Sequence, residues 1–298
     1  VSMQSSDILP AKQARSRNRL GKKQQQRIWN TVTFIVLCGV VVPFVLPFLW
    51  MLSTSFKTLD QTVRFPPEWL PSPWMWENYP LSLTEIVPLY RYFWNSIVYS
   101  VPATCFAVFS SAIVAYGFAK FRARGRQAMF MIVLSTLLIP YPVVMIPQFI
   151  LFQRLGWIDT YLPLIVPNLF ASPFLIFMLR QFMQGVPSEI LDAARIDGAG
   201  VIGTFWRIIL PLSKLGLIAA SILTFSANWN DYLGPLLYIN SRDLFTLQIG
   251  LTSFVAHRGT SHWELLMAAS VLATLPVLII FFVAQKAMMQ GIVVTGLK

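Results

Sequence analysis

Long runs of apolar residues, each bounded by clusters of charge or proline, organise this 298-residue chain. Runs close to the ~20 residues that a helix needs to cross a bilayer fall at 29–54, 93–119, 128–152, 162–183, 215–238 and 263–287. Six crossings return a chain to the side on which it began. The pattern therefore predicts an all-α integral membrane protein with six transmembrane helices. It divides the chain into a basic tail (1–28), a first transmembrane helix (29–54), an extracytoplasmic loop (55–92), a five-helix core (93–287) with a polar loop at 184–214, and a C-terminal tail (288–298).

Proline adjusts this outline in two places. The stretch FPPEWLPSPWMWENYP, with prolines at 66, 67, 71, 73 and 80, has no helical period, and such prolines remove donors and constrain their predecessors. An ordered outer loop is expected there. Trp69, Trp74 and Trp76 would lie at headgroup level as interfacial aromatics do, and a sugar-stacking platform is the other reading. The third run carries Pro140, Pro142 and Pro147 and should be bent or locally unwound, which membrane helices tolerate when neighbours re-satisfy the freed carbonyls. The bend reads either as a packing kink or as a hinge. No internal repeat stands out, against secondary-transporter folds built on inverted repeats.

Composition agrees with the pattern: 56% of residues are hydrophobic and 12% charged, where soluble domains carry about a quarter charged. The net charge of +11 could suggest nucleic acid, but the cations sort by loop instead of forming one surface with interleaved aromatics. Seven Lys/Arg lie in the tail to Arg27, four between Lys120 and Arg126, four from Arg180 through Lys214, and two at the C-terminal end. The remaining loops hold six Lys/Arg and eight of the twelve acids. By the positive-inside rule both termini are cytoplasmic. The segment RSRNRLGKKQQQR could open a signal peptide, and Ser53 and Ser55 leave a weak small-x-small pattern. The apolar stretch from Thr31 to Leu52 exceeds the 7–15 residues of an h-region, so it reads as a retained span, with the tail as a solvated topology signal touching anionic lipid.

Candidate chemistry is sparse. Cys38 and Cys105 fall in apolar runs and read as inert packing residues, with no disulfide framework or metal cluster. His257 and His262 stand apart in an outer loop, without a nucleophile or HExxH spacing, and read as surface residues. No phosphate-cradling GxxxxGK[ST] exists, since Gly21-Lys22 lacks a glycine five residues before Gly21. The chain is therefore read as a non-enzyme, with no catalytic, metal or cofactor site of its own.

Two polar groups remain. Within EILDAARIDGAGVIGTFWRIILP (189–211), Ser188 after Pro187 is expected as an N-cap, with Glu189 and Asp192 in the first turn where the helix dipole favours acid. Arg195 can pair with Asp192 three residues back. Ala193 and Ala194 keep the helix thin, and Gly198 supplies a tight turn that a residue without Cβ makes cheaply. Phe205, Ile208 and Ile209 share one side, and Pro211 marks a break. An amphipathic connector lying on the membrane and a thin helix entering a groove both fit. In the fifth run, Asn228, Trp229, Asn230, Asp231 and Tyr232 form the densest polar group in any apolar segment, roughly 20 Å (Asn228) to 24 Å (Asp231) along a helix from Leu215. Groups at that depth should face the bundle interior or a wet cavity, as interhelical glue or as pathway lining.

The loop spacing, an acid followed by Ala193, Ala194, three residues, Gly198, nine residues, Ile208, one residue, Leu210 and Pro211, resembles that shared by permease subunits of ABC importers. The stretch IPQFILFQRLGWIDTYLPLIVPNLFASPFLIFMLRQFMQGVPSEILDAARIDGA extends it, as do Asn95-Ser96, AYGFAKFRARGR and WNDYLGPL. From about Lys57 to Lys298 the chain is similar to the smaller permease of the maltose-transporter family. Asp192 departs from the usual Glu, and Leu215 follows Ser213-Lys214 where proline is common. The resemblance implies the type I importer fold and a place in a prokaryotic inner membrane. It also implies a second permease subunit, an ATPase dimer holding ATP and Mg, and an extracytoplasmic substrate-binding protein. It assigns ATPase coupling to Glu189, Asp192, Ala193, Ala194, Gly198, Ile208, Leu210 and Pro211. It further implies carbohydrate import, receptor contact by 240–262, and ATPase contact by the tail GIVVTGLK. The alternatives are an ion-coupled secondary transporter and a permease for another solute, such as glycerol phosphate or a polyol.

Overall fold

The structure, a computed structural model, describes residues 22–255 and 261–295, with side chains described for 24–255 and 261–285. The tail through residue 21, His257, and the end of GIVVTGLK lie outside the described residues. Contacts divide the chain into two units, 1–50 and 51–298. The first unit is the body of helix α1 (Lys22–Thr54), which begins several residues before the expected 29 and contains Pro43 and Pro47.

In the second unit, short helices α2 (Leu59–Val63) and α3 (Asn78–Thr84) punctuate the loop that was expected to be irregular. A capping box at Thr58 and Gln61 starts α2. The prolines limit these helices to a few residues without abolishing them. Lys57 is fully buried beneath the loop and donates to the Glu68 carbonyl at 2.6 Å. Burial pulls its pKa below the ordinary lysine value, and Glu68 acts in the opposite sense. Asn78 clasps the same turn through the Ser55 and Lys57 carbonyls. Phe56 packs among Trp74, Trp76 and Tyr79.

Helix α4 (Leu89–Lys120) runs unbroken for 32 residues. The elements that follow are interrupted. Helix α5 (Arg126–Ser135), extended by a 3-10 turn at Thr136–Leu138, meets α6 (Tyr141–Arg154) at 92°. The bend lies at Ile139-Pro140, where Ile139 is extended as a residue before proline should be. Pro147 stays inside α6. Helix α7 (Leu162–Ile165) with a 3-10 turn at Val166–Phe170 meets α8 (Pro173–Gln184) at 41°, through Ala171 at φ 63°. After α9 (Ser188–Ile196), α10 (Val201–Thr204) and α11 (Leu210–Leu212) comes α12 (Lys214–Trp229), at 77° to the 201–212 segment. Helices α13 (Leu233–Tyr238), α14 (Leu247–Thr252) and α15 (Trp263–Thr295) complete the chain. Three described helices are long and apolar enough to cross a membrane, and up to six spans result if each bent pair counts as one.

Helix α4 is the centre of packing. Its Ala107, Ala112 and Ala115 are fully or nearly fully buried where α8 and α12 close on it, and small residues let membrane helices approach closely. Its polar side chains occupy the breaks in its neighbours. Asn95 donates to the Asp243 and Phe245 carbonyls, and Ser96 accepts from the Leu247 N–H at 2.8 Å. Tyr99 bonds the Asn228 carbonyl, and Thr104 accepts from the Asn228 amide. Ser110 donates to the Asn168 carbonyl, and Ser111 accepts from the Ser172 N–H at 2.9 Å. Lys120 closes the series on the Val186 carbonyl at 2.6 Å. Near the other end Gly250 lets α14 approach, because a Cβ there would fall 2.5 Å from buried Tyr92 and 2.9 Å from buried Leu89.

This ladder predicts unequal costs for chemically identical changes. Ser96 is fully buried and serves a buried N–H, so Ser96→Ala should destabilise the purified protein by about 1–3 kcal/mol, the cost of an unsatisfied buried donor. Ser110 also bonds its own Phe106 carbonyl, and Ser110→Ala should be close to neutral. Thermal unfolding of the two variants in detergent checks the contrast; equal shifts would contradict it.

Candidate functional site

The polar loop has two faces. Helix α9 starts at Ser188, with Pro187 in the capping position and no side-chain cap. Ser188 is therefore the first helical residue and not the N-cap, since Pro187 already takes the extended cap geometry. Only Glu189 lies in the first turn, and Asp192 sits beyond it. Asp192 does pair with Arg195 at 3.0 Å, both side chains being largely exposed. The helix ends in a Schellman turn. Gly198 adopts φ 80°, its N–H bonds the Arg195 carbonyl at 3.0 Å, and Ala199 N–H bonds the Ala194 carbonyl at 2.9 Å. Any other residue at that φ carries roughly 1–2 kcal/mol of strain.

Leu191, Ala194, Phe205 and Ile209 are buried on the α4 and α8 side, with Ile208 and Leu210 half-buried beside them. A single π-turn at Phe205–Ile209, closed by Leu210 N–H on the Phe205 carbonyl, shifts the register so that both ends of the turn point inward. Outward stand Glu189, Asp192, Ala193, Gly198 and Pro211. Thus Ala194, Ile208 and Leu210 support the loop, and the remaining five matched positions present it. The break lies at Ser213, two residues after Pro211. The most exposed apolar side chains of this surface are Ile196 (87%) and Ile202 (74%). The spacing argument missed both, although each is an isoleucine flanking a glycine turn in a polar loop. A cleft of about 620 Å³ lies alongside, walled by Lys120, Arg122, Arg126, Asp192 and Arg195.

The five polar residues of the fifth run separate as well. Helix α12 ends at Trp229, so Asn230, Asp231 and Tyr232 lie in a break before α13 and not on a helix face. Within the break Asp231 accepts the Gly234 N–H at 3.1 Å. Trp229 is core: it is 1% exposed, stacks on Phe225 and donates to the Ala273 carbonyl at 2.9 Å. Asn230 and Tyr232 face outward. Only Asn228 and Asp231 reach a polar cavity of about 380 Å³, which they share with Gln148, Asn168 and Tyr238 from elements that sequence reasoning did not connect.

The segment 240–247 is held firmly at its base. Asp159 accepts from Asn240 N–H at 3.0 Å and Ser241 N–H at 2.7 Å, and also binds the Ser241 hydroxyl. The Ser241 hydroxyl and these two amides hold the Asp159 carboxyl below its usual range. Arg91 pairs with Asp243 at 2.6 Å. His262 is half-buried and not a free surface residue, because its ring meets Glu264 at 3.3 Å. Cys38 and Cys105 are free and exposed on the chain, not packed inside it.

These are the features of an integral membrane protein whose polar loop is backed on one side and exposed on the other. The chain belongs to the ABC transporter inner-membrane permeases: the family described as binding-protein-dependent transport system inner membrane component matches residues 107–294. It is the permease component, the part of such a transporter that lacks the ATPase domain. The chain is 34% identical to the arabinooligosaccharides transport system permease protein AraQ of Bacillus subtilis, over 91% of this chain and 96% of that one. It is 31% identical to the lactose transport system permease protein LacG of Rhizobium radiobacter (90% and 96%). With the sn-glycerol-3-phosphate transport system permease protein UgpE of Yersinia enterocolitica it shares 32% (87% and 95%). A solved bacterial ABC transporter involved in the import of the acidic polysaccharide alginate superposes with a TM-score of 0.75 at 22% identity, covering 88% of this chain and 97% of that one. The expected all-helical membrane fold is borne out.

Removing the indole donor separates a core role for Trp229 from a pathway role. Trp229→Phe should cost about 1 kcal/mol, the net worth of one hydrogen bond, seen as a lowered melting temperature. A change in the KM for transport without that shift would return Trp229 to the pathway.

Proposed function

We propose that this chain is one half of a heterodimeric permease core that imports a carbohydrate, a di- or oligosaccharide, driven by a separate ATPase dimer. That dimer binds ATP and Mg and docks on the exposed face of 189–211. An extracytoplasmic substrate-binding protein engages the opposite end around 240–247. The observation that carries this reading is the two-faced loop, in which a buried side fixes a short helix and a glycine turn presents Ile196 and Ile202 to solvent. An apolar pair so exposed next to fixed charge is a docking signature. The coupling role of Glu189, Asp192, Ala193, Gly198 and Pro211 is then contact. That of Ala194, Ile208 and Leu210 is transmission into α4, α8 and α12.

Orientation follows from the same assignment. The Lys/Arg excess at 120–126 and 180–214 supports a cytoplasmic loop, which is where an ATPase must dock, and both termini fall on that side. Membership of the ABC family sets aside the ion-coupled alternative. Carbohydrate cargo is supported by the AraQ and LacG relatives, and the UgpE relatives keep a glycerol phosphate reading in view.

Ile196→Asp alters the exposed face without touching the buried one, and Gly198→Trp adds bulk to that face together with strain in the turn. Each should reduce ATPase co-purification by about 30-fold or more, as loss of a hot-spot residue does, with membrane insertion intact. Pull-down of the tagged importer and ATP-dependent uptake in proteoliposomes measure this. Undiminished uptake in both variants would remove the docking assignment.

A further inference from the structure

The 380 Å³ cavity forms where three interrupted elements meet: α6, the 166–172 turn, and the break between α12 and α13. Its polar wall consists of Tyr141, Gln148, Asn168, Asn228, Asp231 and Tyr238. Buried polar groups are normally paired within the protein; here the Tyr238 hydroxyl is buried without a partner, and the half-buried amides keep spare hydrogen-bonding capacity. Gln148 makes no hydrogen bond to any described residue. Asn168 donates to the Leu164 carbonyl and Asn228 to Thr104, leaving the two amide oxygens without a donor among the described residues. The Tyr238 hydroxyl is buried beside Tyr141 yet makes no hydrogen bond of good geometry. No lysine, arginine or histidine lines the cavity, whereas Asp231 does.

We infer that this cavity is a binding site for an uncharged polyhydroxylated solute, a neutral sugar ring, and that Asp231 makes it reject anionic cargo. A sugar hydroxyl both donates and accepts. Gln148 offers both partners, and the Asn168 and Asn228 oxygens accept. The Asp231 carboxylate can accept from vicinal hydroxyls while its other oxygen holds the Gly234 N–H. A phosphate or uronate would meet that carboxylate with no cation to offset it. In a wall of low dielectric this repulsion is worth on the order of tenfold or more in occupancy. The inference rests on the carbohydrate reading above and deepens it: it separates a neutral sugar from a phosphate ester or uronate as the cargo of this chain.

The test uses the assembled importer with Cys38→Ser and Cys105→Ser as background and Gln148→Cys as reporter, with Asn168→Cys as a second reporter should the first fail to assemble. Each thiol is treated with methanethiosulfonates bearing a trimethylammonium or a sulfonate group, with rates normalised to a free thiol. The cationic reagent should be favoured on the order of tenfold, and Asp231→Asn should erase the preference. Lactose or arabinobiose should slow labelling, and sn-glycerol-3-phosphate should not. No labelling, no charge preference, or protection by the phosphate ester alone would overturn the inference. Failure of the docking assignment would show separately, as an ATPase that does not co-purify whatever the labelling.

Discussion

Inside a bilayer every backbone N–H and C=O must find its partner within the protein, and this chain meets that demand through one helix. Helix α4 is unbroken over 32 residues, with Pro102 inside it, while three helix pairs bend at 92°, 41° and 77°. The α4 side chains at 95, 96, 99, 110, 111 and 120 bond backbone groups of residues 243, 245, 247, 228, 168, 172 and 186, and of the three bends they reach the 41° one, at Ser172. The rest of the architecture depends on this arrangement. Without it the Leu247 and Ser172 amides would lose their partners.

The same helix joins the 189–211 loop to the 243–247 segment. Lys120 fixes the Val186 carbonyl, just before α9, and Tyr116 packs on Phe205 within the π-turn. At the far end Asn95 and Ser96 hold the 243–247 segment. The 189–211 loop is backed by Leu191, Phe205 and Ile209, all packed in one cluster with α4, α8 and α12. A surface connector lying loosely on lipid would lack that backing. Arg180 reinforces it, with its guanidinium 4.2 Å from the Phe130 ring centre and its Nε bonded to the Phe118 carbonyl.

Legibility in the sequence followed the range of the interaction. The spans were readable because hydropathy is a local sum, and the bend at Pro140 because a missing N–H is a property of one residue. Gly198 was readable for the same reason, since positive φ falls most cheaply on glycine. The breaks at Ala171 and at 230–232 were not readable. Neither begins with a proline or glycine; each is held by a partner distant in sequence, Ser111 for the first and the Tyr99–Asn228 and Thr104–Asn228 bonds beside the second. The serines and threonines of α4 gave no warning, because a hydroxyl in an apolar helix can equally bond its own preceding turn, as Ser110 partly does. Trp229 misled for a related reason: an indole in a polar cluster reads as lining until its N–H is found on a helix carbonyl.

Interruption also explains why the polar cavity lies where it does. A continuous helix hides its backbone and presents only side chains, whereas a broken one turns polar groups towards its neighbours. Asp231 can cap Gly234 only because α12 stops at Trp229, and Asn168 sits in the short turn that ends before Ala171. Gln148 faces both from α6, past the Pro140 bend. A Cβ on Gly234 would fall 2.4 Å from the Asp231 carboxylate, so the glycine of WNDYLGPL serves the cavity and not only the helix start. The features that make this fold costly to assemble in lipid are thus the ones that give it a polar interior, and α4 makes both possible by satisfying the breaks from one side and leaving the other side open.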